Sequence, residues 1–347
     1  MAAERAAFRY IGAKRRPKED RRFLSGSGRF AADIALPDMA HVALAASPYP
    51  NARIIRIDAA KALALPGVRL VATGEDVARA TEPLMSGLDL PNVLRYPLAV
   101  GRARYVGEWV AAVAAESRAL AEDAAELVEV EYEPLPHVID PEAALLPEAP
   151  LVHPEHGSNL LYRRQFVWGD VAADFAAAPR QLSYRARWNR SATVPIETFG
   201  VVARWDAAAR LVEVWASVQM PKFADQLARA LRLPGNAVRT HFDVDVGGSY
   251  GGKRGLKHAV LVAYLARRLG APVRLVEDRL ENLRGGDAHG PDRIFDVALA
   301  FDDDGIVRSM RMRALDDVGA YAGRATFQLG KPIGAIVGPY RINSVAY

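Results

Sequence analysis

Hydrophobic residues in this chain fall in short alternating or continuous runs, separated by segments with helical spacing. In the first part, the runs predict strands at 39–47, 52–57, 68–73, 105–115 and 127–132. The run at 105–115 has continuous small apolar residues, which is typical of a buried strand. Asp58 predicts the start of a short helix through Leu65, and Ser117 predicts the start of another over 118–125. Together these elements predict an α/β unit.

A proline-rich segment from Pro134 to Asn159 then predicts a linker. Beyond it the pattern resumes with strands predicted at 181–189, 201–205, 211–216, 238–246, 273–276, 294–301 and 306–314. Helices are predicted at 222–231, opened by Pro221, and at 254–269, ended by Gly270. The pattern therefore predicts a basic arm (1–22), a first domain, a linker and a second domain. We assign the proline-rich residues up to 148 to the first domain (23–148), which leaves 149–160 as the linker and 161–347 as the second domain.

A glycine-rich stretch near the middle of the chain carries the strongest chemical signal. Gly247, Gly248, Gly251 and Gly252 lie between a predicted strand and a predicted helix. Glycine allows the backbone to approach a ligand closely, and the free N–H groups of a first helical turn favour an anionic group. The stretch therefore predicts a site for a phosphate-bearing cofactor, and a tight turn without a ligand is the structural alternative.

Two nucleotide-binding motifs fail at this stretch. The spacing from Gly247 to Lys253 fits a P-loop, and the acidic strand at 273–278 could support magnesium. However, Arg254 occupies the position where a P-loop has the Ser or Thr that ligates Mg²⁺. The dinucleotide-binding pattern also fails, because Ser249 stands where its second glycine is required.

Gln219 is a second candidate, because it lies between a predicted strand and the helix that Pro221 opens. A side-chain amide at such a junction can donate to an oxo group or a carbonyl of a ligand without adding charge. The alternative is a local helix-capping contact. Together with the glycine stretch, Gln219 suggests an uncharged cradle for an electron-rich centre.

Composition excludes several classes of protein. The chain of 347 residues has no cysteine, so disulfides, thiol nucleophiles and iron–sulfur clusters ligated within it are excluded. Its 45 Lys and Arg against 41 acidic residues give a formal charge of +4, too little to predict nucleic-acid binding. The basic arm is expected to be solvated. No apolar run approaches the ~18 residues of a membrane span, so the expected location is the cytoplasm.

The residues around Gln219 and the run 247–253 resemble the molybdenum-cofactor-binding subunit of the xanthine dehydrogenase, aldehyde oxidase and aerobic carbon monoxide dehydrogenase family. Further segments match in the same order along the chain, to Tyr347, and the ordered set is more specific than any single piece. These segments are 10–30, 47–54, Tyr105-Val106-Gly107-Glu108, 129–136, 151–153, Pro195-Ile196-Glu197, Val276-Glu277-Asp278-Arg279 with Glu281, and Gly319-Ala320-Tyr321.

The resemblance implies a mixed α+β fold, with residues 23–148 as an α/β hammerhead domain and 161–347 as the first part of a molybdopterin-binding domain. It implies a molybdenum–molybdopterin cofactor, with the cytosine dinucleotide as one form of it. The residues implied to bind this cofactor are Gln219, Gly247, Gly248, Ser249, Tyr250 and Gly251. Gln219 would bind an oxo ligand of the metal, the backbone N–H groups of 248–251 would face the metal centre, and Tyr250 would lie near the substrate channel.

The implied activity is that of an oxidoreductase that oxidises an aldehyde, an N-heterocycle or carbon monoxide with water as the oxygen source. Electrons would pass to partner subunits that carry Fe–S clusters and FAD, in agreement with the absence of cysteine. Ser249-Tyr250 stands where Gly-Phe is common in the family. Arg254 stands where purine-oxidising members have a glutamate, so we do not expect purine specificity.

The family chain continues well beyond this length, and its general base, a late glutamate, has no counterpart here. We therefore predict no catalytic residue and no protein ligand to the metal in this chain, and we expect the isolated chain to be inert. It would be completed by a C-terminal portion or by a second chain. The alternatives are a non-catalytic partner or remnant of a split enzyme and, less favoured, a P-loop-like nucleotide-binding protein.

Overall fold

The computed structural model of the chain describes residues 10–85, 88, 90–285, 289–323 and 334–347. Its helices are α1 (Asp20–Leu24), α2 (Ala60–Leu63), α3 (Gly74–Ala80), α4 (Arg118–Glu126), α5 (Val171–Ala177), α6 (Phe223–Ala230), α7 (Leu256–Leu269) and α8 (Arg279–Arg284). Its strands are β1 (Ala40–Ala46), β2 (Ala52–Asp58), β3 (Val68–Thr73), β4 (Arg102–Ala103), β5 (Trp109–Ala115), β6 (Glu129–Pro134), β7 (Val167–Trp168), β8 (Arg180–Trp188), β9 (Gly200–Asp206), β10 (Leu211–Ala216), β11 (Val238–His241), β12 (Val273–Val276), β13 (Asp292–Phe301), β14 (Val307–Asp317) and β15 (Ser344–Ala346). The mixed α+β class predicted from the sequence is confirmed.

The largest sheet contains strands from both sides of the predicted linker. Its order is β11-β10-β9-β12-β1-β5-β3, and β1 pairs in parallel with β12 through Ala40 opposite Val273. Residues 23–148 therefore supply three neighbouring strands of this seven-stranded sheet. The first unit does not stand apart from the second, and the exact domain boundaries stay a prediction.

The core lies between this sheet and the helices that cover it. All of β5 is buried, as its run of small apolar residues predicted, and α4 packs on β5 and β1. Ser117 caps α4 as predicted, with its hydroxyl accepting the N–H of Leu120 at 3.2 Å. On α7, residues such as Leu261 and Leu265 are fully buried against β9 and β12, and each contributes about 1.5–3 kcal/mol of burial free energy.

Two smaller sheets complete the fold. One has the order β7-β15-β14-β13-β8, and its β13–β14 pair forms the hairpin predicted around Asp302 to Gly305. The edge strand β8 is exposed along almost its whole length. The other sheet has the order β4-β2-β6. Within the described ranges, no helix has the length and apolar character needed to cross a bilayer.

Two predicted boundaries next to the glycine stretch were wrong. The strand predicted at 238–246 ends at His241, because the chain then leaves β10. The Asp245 N–H donates to the Arg29 carbonyl oxygen instead, and the Arg29 N–H donates to the Asp245 carboxylate. The helix predicted from Arg254 begins at Leu256, because Gly255 adopts a left-handed conformation with φ 65°. The short helices α5 and α8 were not predicted.

Candidate cofactor site

Gln219 and the glycine loop, which we define as residues 247–252, lie at the same edge of the seven-stranded sheet. β10 and β11 are parallel, and β9 is antiparallel to both β10 and β12, so β10, β11 and β12 all end at this edge. Gln219 follows β10, and its backbone N–H donates to the carbonyl oxygen of Lys253 at 3.0 Å. Open sheets commonly bind ligands outside the carboxyl ends of their strands. The structure thus brings together the two features that the sequence singled out.

The glycine loop turns through left-handed backbone conformations, with φ of 92° at Gly248, 49° at Tyr250 and 91° at Gly251. This conformation costs a tyrosine about 1–2 kcal/mol. Across the part of the chain that the structure describes, the N–H groups of Gly248, Ser249 and Tyr250 donate to no acceptor. The loop therefore presents neighbouring donors that are not used by the fold.

Gly247 is used differently. Its N–H donates to Oε2 of Glu197 at 2.6 Å, so this donor is already engaged. A Cβ at this position would lie 2.5 Å from the Cβ of Glu197. Gly247 is therefore needed for the close approach of Glu197, which the sequence did not indicate.

Tyr250 and Gly251 line a large cleft between the glycine loop and the five-stranded sheet. The Tyr250 side chain is 77% exposed. The cleft volume is about 2140 Å³, well above the ~300–1,000 Å³ of typical small-molecule pockets. The exposed side-chain amide of Gln219 has no hydrogen-bond partner in the described ranges. The cleft has room for a large cofactor and for further polypeptide.

A buried ion pair lies directly behind the loop. The Lys253 side chain is only 3% exposed, and its Nζ donates to Oε2 of Glu197 at 2.5 Å. Burial lowers the pKa of Lys253, although the Glu197 carboxylate opposes that shift. The Lys253 ammonium group needs the Glu197 carboxylate, because an unpaired buried charge is strongly destabilising.

A second buried pair joins α7 to the end of β12. Glu277 accepts from Nε2 of His258 at 2.6 Å and from Nδ2 of Asn282 at 3.0 Å. Burial alone would raise the pKa of Glu277, but the hydrogen bonds and charge of His258, together with Asn282, bring that pKa below its ordinary value. The Lys253–Glu197 and His258–Glu277 pairs form a polar layer beneath the loop. Sequence reasoning missed this layer, although Glu197 and Glu277 each lie in a matched motif.

Three other matched motifs meet at the side of the cleft. The Tyr321 hydroxyl donates to Oε1 of Glu108 at 2.8 Å, and the Arg104 N–H donates to Oε2 at 2.5 Å. Burial raises the pKa of Glu108 above its ordinary value. A ring nitrogen of His153 lies 2.6 Å from the carbonyl oxygen of Ala320. Segments far apart in sequence are thus joined by buried polar contacts.

The basic arm is not wholly solvated, contrary to expectation. Both terminal nitrogens of Arg22 donate to Asp245 at 2.6 Å, and the Arg29 N–H donates to the same carboxylate at 2.7 Å. The hydrogen bonds of Arg22 lower the pKa of Asp245 to about 2. The end of the arm therefore holds the chain that leads into the glycine loop.

The donors at this edge fit the predicted type of cofactor. Backbone N–H groups and a side-chain amide offer hydrogen bonds without a net charge, as suits an electron-rich metal–pterin group. Among the residues that the structure describes, no cluster of three or more His, Asp or Glu side chains could hold a metal ion.

Comparisons with known proteins agree with this geometry. The molybdopterin cofactor-binding domain family matches residues 152–347, and the a/b hammerhead domain of aldehyde oxidase and xanthine dehydrogenase matches residues 25–136. The chain is 35% identical to the 6-hydroxypseudooxynicotine dehydrogenase complex subunit gamma of Paenarthrobacter nicotinovorans, over 96% of this chain and 43% of that protein. Its structure matches quinoline 2-oxidoreductase from Pseudomonas putida 86 with a TM-score of 0.83 and 36% identity, over 95% of this chain and 43% of that one.

A further relative differs in length. The nicotinate dehydrogenase large molybdopterin subunit of Eubacterium barkeri is 27% identical over 92% of this chain and 73% of that protein. The chain thus spans less than half of the first two relatives but most of this third one. The family and fold implied by the sequence motifs are confirmed. The chain belongs to the xanthine dehydrogenase and aldehyde oxidase family of molybdenum hydroxylases, as part of their molybdopterin-binding large subunit.

Proposed function

We propose that this chain holds the molybdenum–molybdopterin cofactor of a molybdenum hydroxylase through its glycine loop and Gln219. The observation that carries the proposal is the set of unused N–H donors at Gly248, Ser249 and Tyr250, at the same sheet edge as the exposed amide of Gln219. Gly251 lines the adjoining cleft. The cofactor, as the pterin or its cytosine dinucleotide, would supply two-electron redox chemistry, and the protein would orient it.

The proposed substrate is a small molecule with an electrophilic carbon: an N-heterocycle, an aldehyde or carbon monoxide. The names of three relatives concern quinoline, nicotinate and 6-hydroxypseudooxynicotine, which favours a nitrogen heterocycle. Electrons would leave through Fe–S and FAD subunits in the cytoplasm. The name of one relative as a complex subunit supports a hetero-oligomer of this kind.

The rest of the cofactor site would come from a C-terminal portion or from a second chain, which would also supply the general base. The short nicotinate dehydrogenase subunit supports an arrangement with a second chain. A non-catalytic partner in a split enzyme is the competing proposal. The subunit masses of the complex captured from native cells by a tagged copy distinguish a C-terminal portion from a second chain, and a captured complex in which this chain binds no metal would favour the non-catalytic partner. A much longer polypeptide indicates one continuous subunit, whereas a chain near 37.7 kDa with a second molybdopterin-binding chain indicates a split one.

Gln219→Ala in the purified complex tests the site itself. We expect the wild-type complex to contain molybdenum and pterin, and the variant to show an altered cofactor absorption spectrum and turnover reduced about 100-fold, the scale for loss of one preorganised donor. Gln181→Ala is the matched control, because Gln181 lies on β8 and donates to the Phe175 carbonyl. A wild-type complex without molybdenum and pterin would contradict the proposal, as would a variant with an unchanged spectrum and rate.

A further inference from the structure

Residues 193–197 cross the glycine loop and contact it at both ends. A Cβ at Gly252 would lie 2.5 Å from Oγ1 of Thr193, and a Cβ at Gly247 would lie 2.5 Å from Cβ of Glu197. Between these points, a Cβ at Gly248 would lie 3.3 Å from Cβ of Pro195. The crossing segment therefore follows the loop closely. Neither Gly252 nor Gly247 can gain a side chain without displacing it.

Glu197 joins the two ends of the loop through a single oxygen. Its Oε2 accepts from the Gly247 N–H at 2.6 Å and from Lys253 Nζ at 2.5 Å. Its backbone N–H also donates to the Gly247 carbonyl oxygen at 3.4 Å. Because Lys253 is almost fully buried, its ammonium group has a strong requirement for this carboxylate. The distance across the base of the loop is thereby set by one charged group.

The crossing segment is itself held in place by the chain after β12. Nη2 of Arg279 donates to the carbonyl oxygens of Pro195 at 2.6 Å and Ile196 at 3.0 Å. The Thr198 hydroxyl donates to the Glu277 carbonyl oxygen at 2.6 Å. These contacts join two matched motifs, at 195–197 and 276–279, on the far side of the glycine loop's support.

A loop with several left-handed residues needs such support. Sparsely populated backbone conformations persist only where the surrounding structure over-determines them. Tyr250 is largely exposed, so its side chain supplies little packing to stabilise its own left-handed backbone. The restraint must therefore come from the ends of the loop.

We propose that Glu197 is a positioning residue of the cofactor site, which holds the glycine loop in its strained conformation so that the N–H groups of Gly248, Ser249 and Tyr250 are aligned before a ligand binds. The role assigned to these donors rests on the proposed function, whereas the restraint on the loop does not. Glu197 itself contacts the loop and not the ligand.

Hydrogen–deuterium exchange of the whole complex, with and without cofactor, tests this proposal in the variants Glu197→Gln and Lys253→Met and in their double variant. Glu197→Gln keeps an acceptor for Gly247 but removes the charge that Lys253 requires. Lys253→Met replaces the buried ammonium by an apolar side chain of similar length and leaves Glu197 without its partner. The double variant removes both charges, a change that proteins often tolerate. The control is Glu82→Gln, which breaks the exposed pair of Glu82 with Arg232.

We expect exchange at the hydrogen-bonded amides of Gly247 and Gly252 to rise about tenfold in each single variant, with exchange in α7 and β10 unchanged. The double variant should show no larger rise than the single variants, because both remove one interaction. Cofactor retention and kcat should fall with little change in KM, and Glu82→Gln should match the wild type. Wild-type exchange in both single variants, or an additive double variant, would overturn the proposal. A complex that never contains pterin would refute the proposed function and leave the exchange result as a separate test of the restraint.

Discussion

The segments on either side of the glycine loop are both held by charged side chains, but in opposite surroundings. The incoming segment, residues 242–246, is held by Arg22 on Asp245 and by Arg29 on Asp243, and both arginines are substantially exposed. The outgoing segment, residues 253–255, contains the buried residues Lys253 and Gly255. One side of the loop is thus fixed from the surface and the other from the core.

This difference has energetic consequences. Exposed ion pairs contribute little and are screened by salt, whereas breaking a buried pair costs about 3–5 kcal/mol. The outgoing segment should therefore be insensitive to salt and intolerant of substitution. The incoming segment should be sensitive to salt and tolerant of substitution. The site would combine a fixed side, which sets the position of the donors, with a side that can adjust.

The largest expected effect is that of Gly255→Ala in the outgoing segment. Gly255 has φ 65°, and a Cβ there would lie 2.2 Å from Cζ of Phe199. We expect the free energy of unfolding to fall by about 3 kcal/mol, from overpacking together with the left-handed backbone. Urea unfolding of the purified chain measures this loss.

Gly270→Ala separates the two causes. Gly270 has the same φ of 65°, but a Cβ there would meet no atom within 4 Å. This variant should lose only about 1 kcal/mol, the backbone contribution alone. Equal losses in the two variants would show that packing behind the loop is not the restraint.

The next effect compares, by its dependence on pH, a largely buried carboxyl group on α8 with the exposed segment that leads into the loop. Burial, with the nearby charges of Asp278 and Glu277, raises the pKa of Glu281 from 4.5 to about 7. The folded state therefore binds the carboxyl proton of Glu281 more tightly than the unfolded chain does. The stabilisation from this protonated carboxyl group is complete below pH 4.5 and is lost as the pH rises through about 7. We expect Glu281→Gln to gain about 2 kcal/mol relative to the wild type between pH 4.5 and 7.5.

Asp245 on the incoming side should behave differently. Its pKa is lowered from 3.8 to about 2, so its contribution is present above pH 3.8 and is lost only as the pH falls through about 2. The difference between Asp245→Asn and the wild type should stay constant from pH 4.5 to 7.5. Unfolding curves at several pH values measure both variants, and a flat profile for Glu281→Gln would contradict the expected burial of that carboxyl group.

The elements of the fold could be predicted where a local pattern encodes them. The continuous apolar run of β5 and the Asp-rich turn of the β13–β14 hairpin are examples. The pairing of β1 with β12 could not, because Ala40 and Val273 are distant in sequence and no local pattern specifies a parallel partner. The helix α8 carried a signal in the capping box of Asp278 and Glu281, but it is only six residues long.

The candidate site divides in the same way. Gln219 and the glycine loop were found because each follows a predicted strand, and parallel strands bring both to one edge. Glu197 was missed as a contact of the loop because its partners Gly247 and Lys253 lie 50 and 56 residues away. Sequence reasoning therefore identified the groups that we propose to bind the cofactor, and the structure was needed to find the groups that hold them.

The smallest effect is expected for Arg22→Gln, which releases the incoming segment from the basic arm. Because the Arg22 side chain is partly exposed, its pair with Asp245 is open to counterions. We expect faster hydrogen–deuterium exchange in 242–246 at low ionic strength, and wild-type exchange at about 1 M salt, where the screening length falls to about 3 Å. The increase caused by Glu197→Gln should persist at both salt concentrations, because Lys253 is shielded from solvent. If both variants lost their effect in high salt, the buried and the exposed side of the loop would not differ, and the position of the donors would depend on surface charge alone.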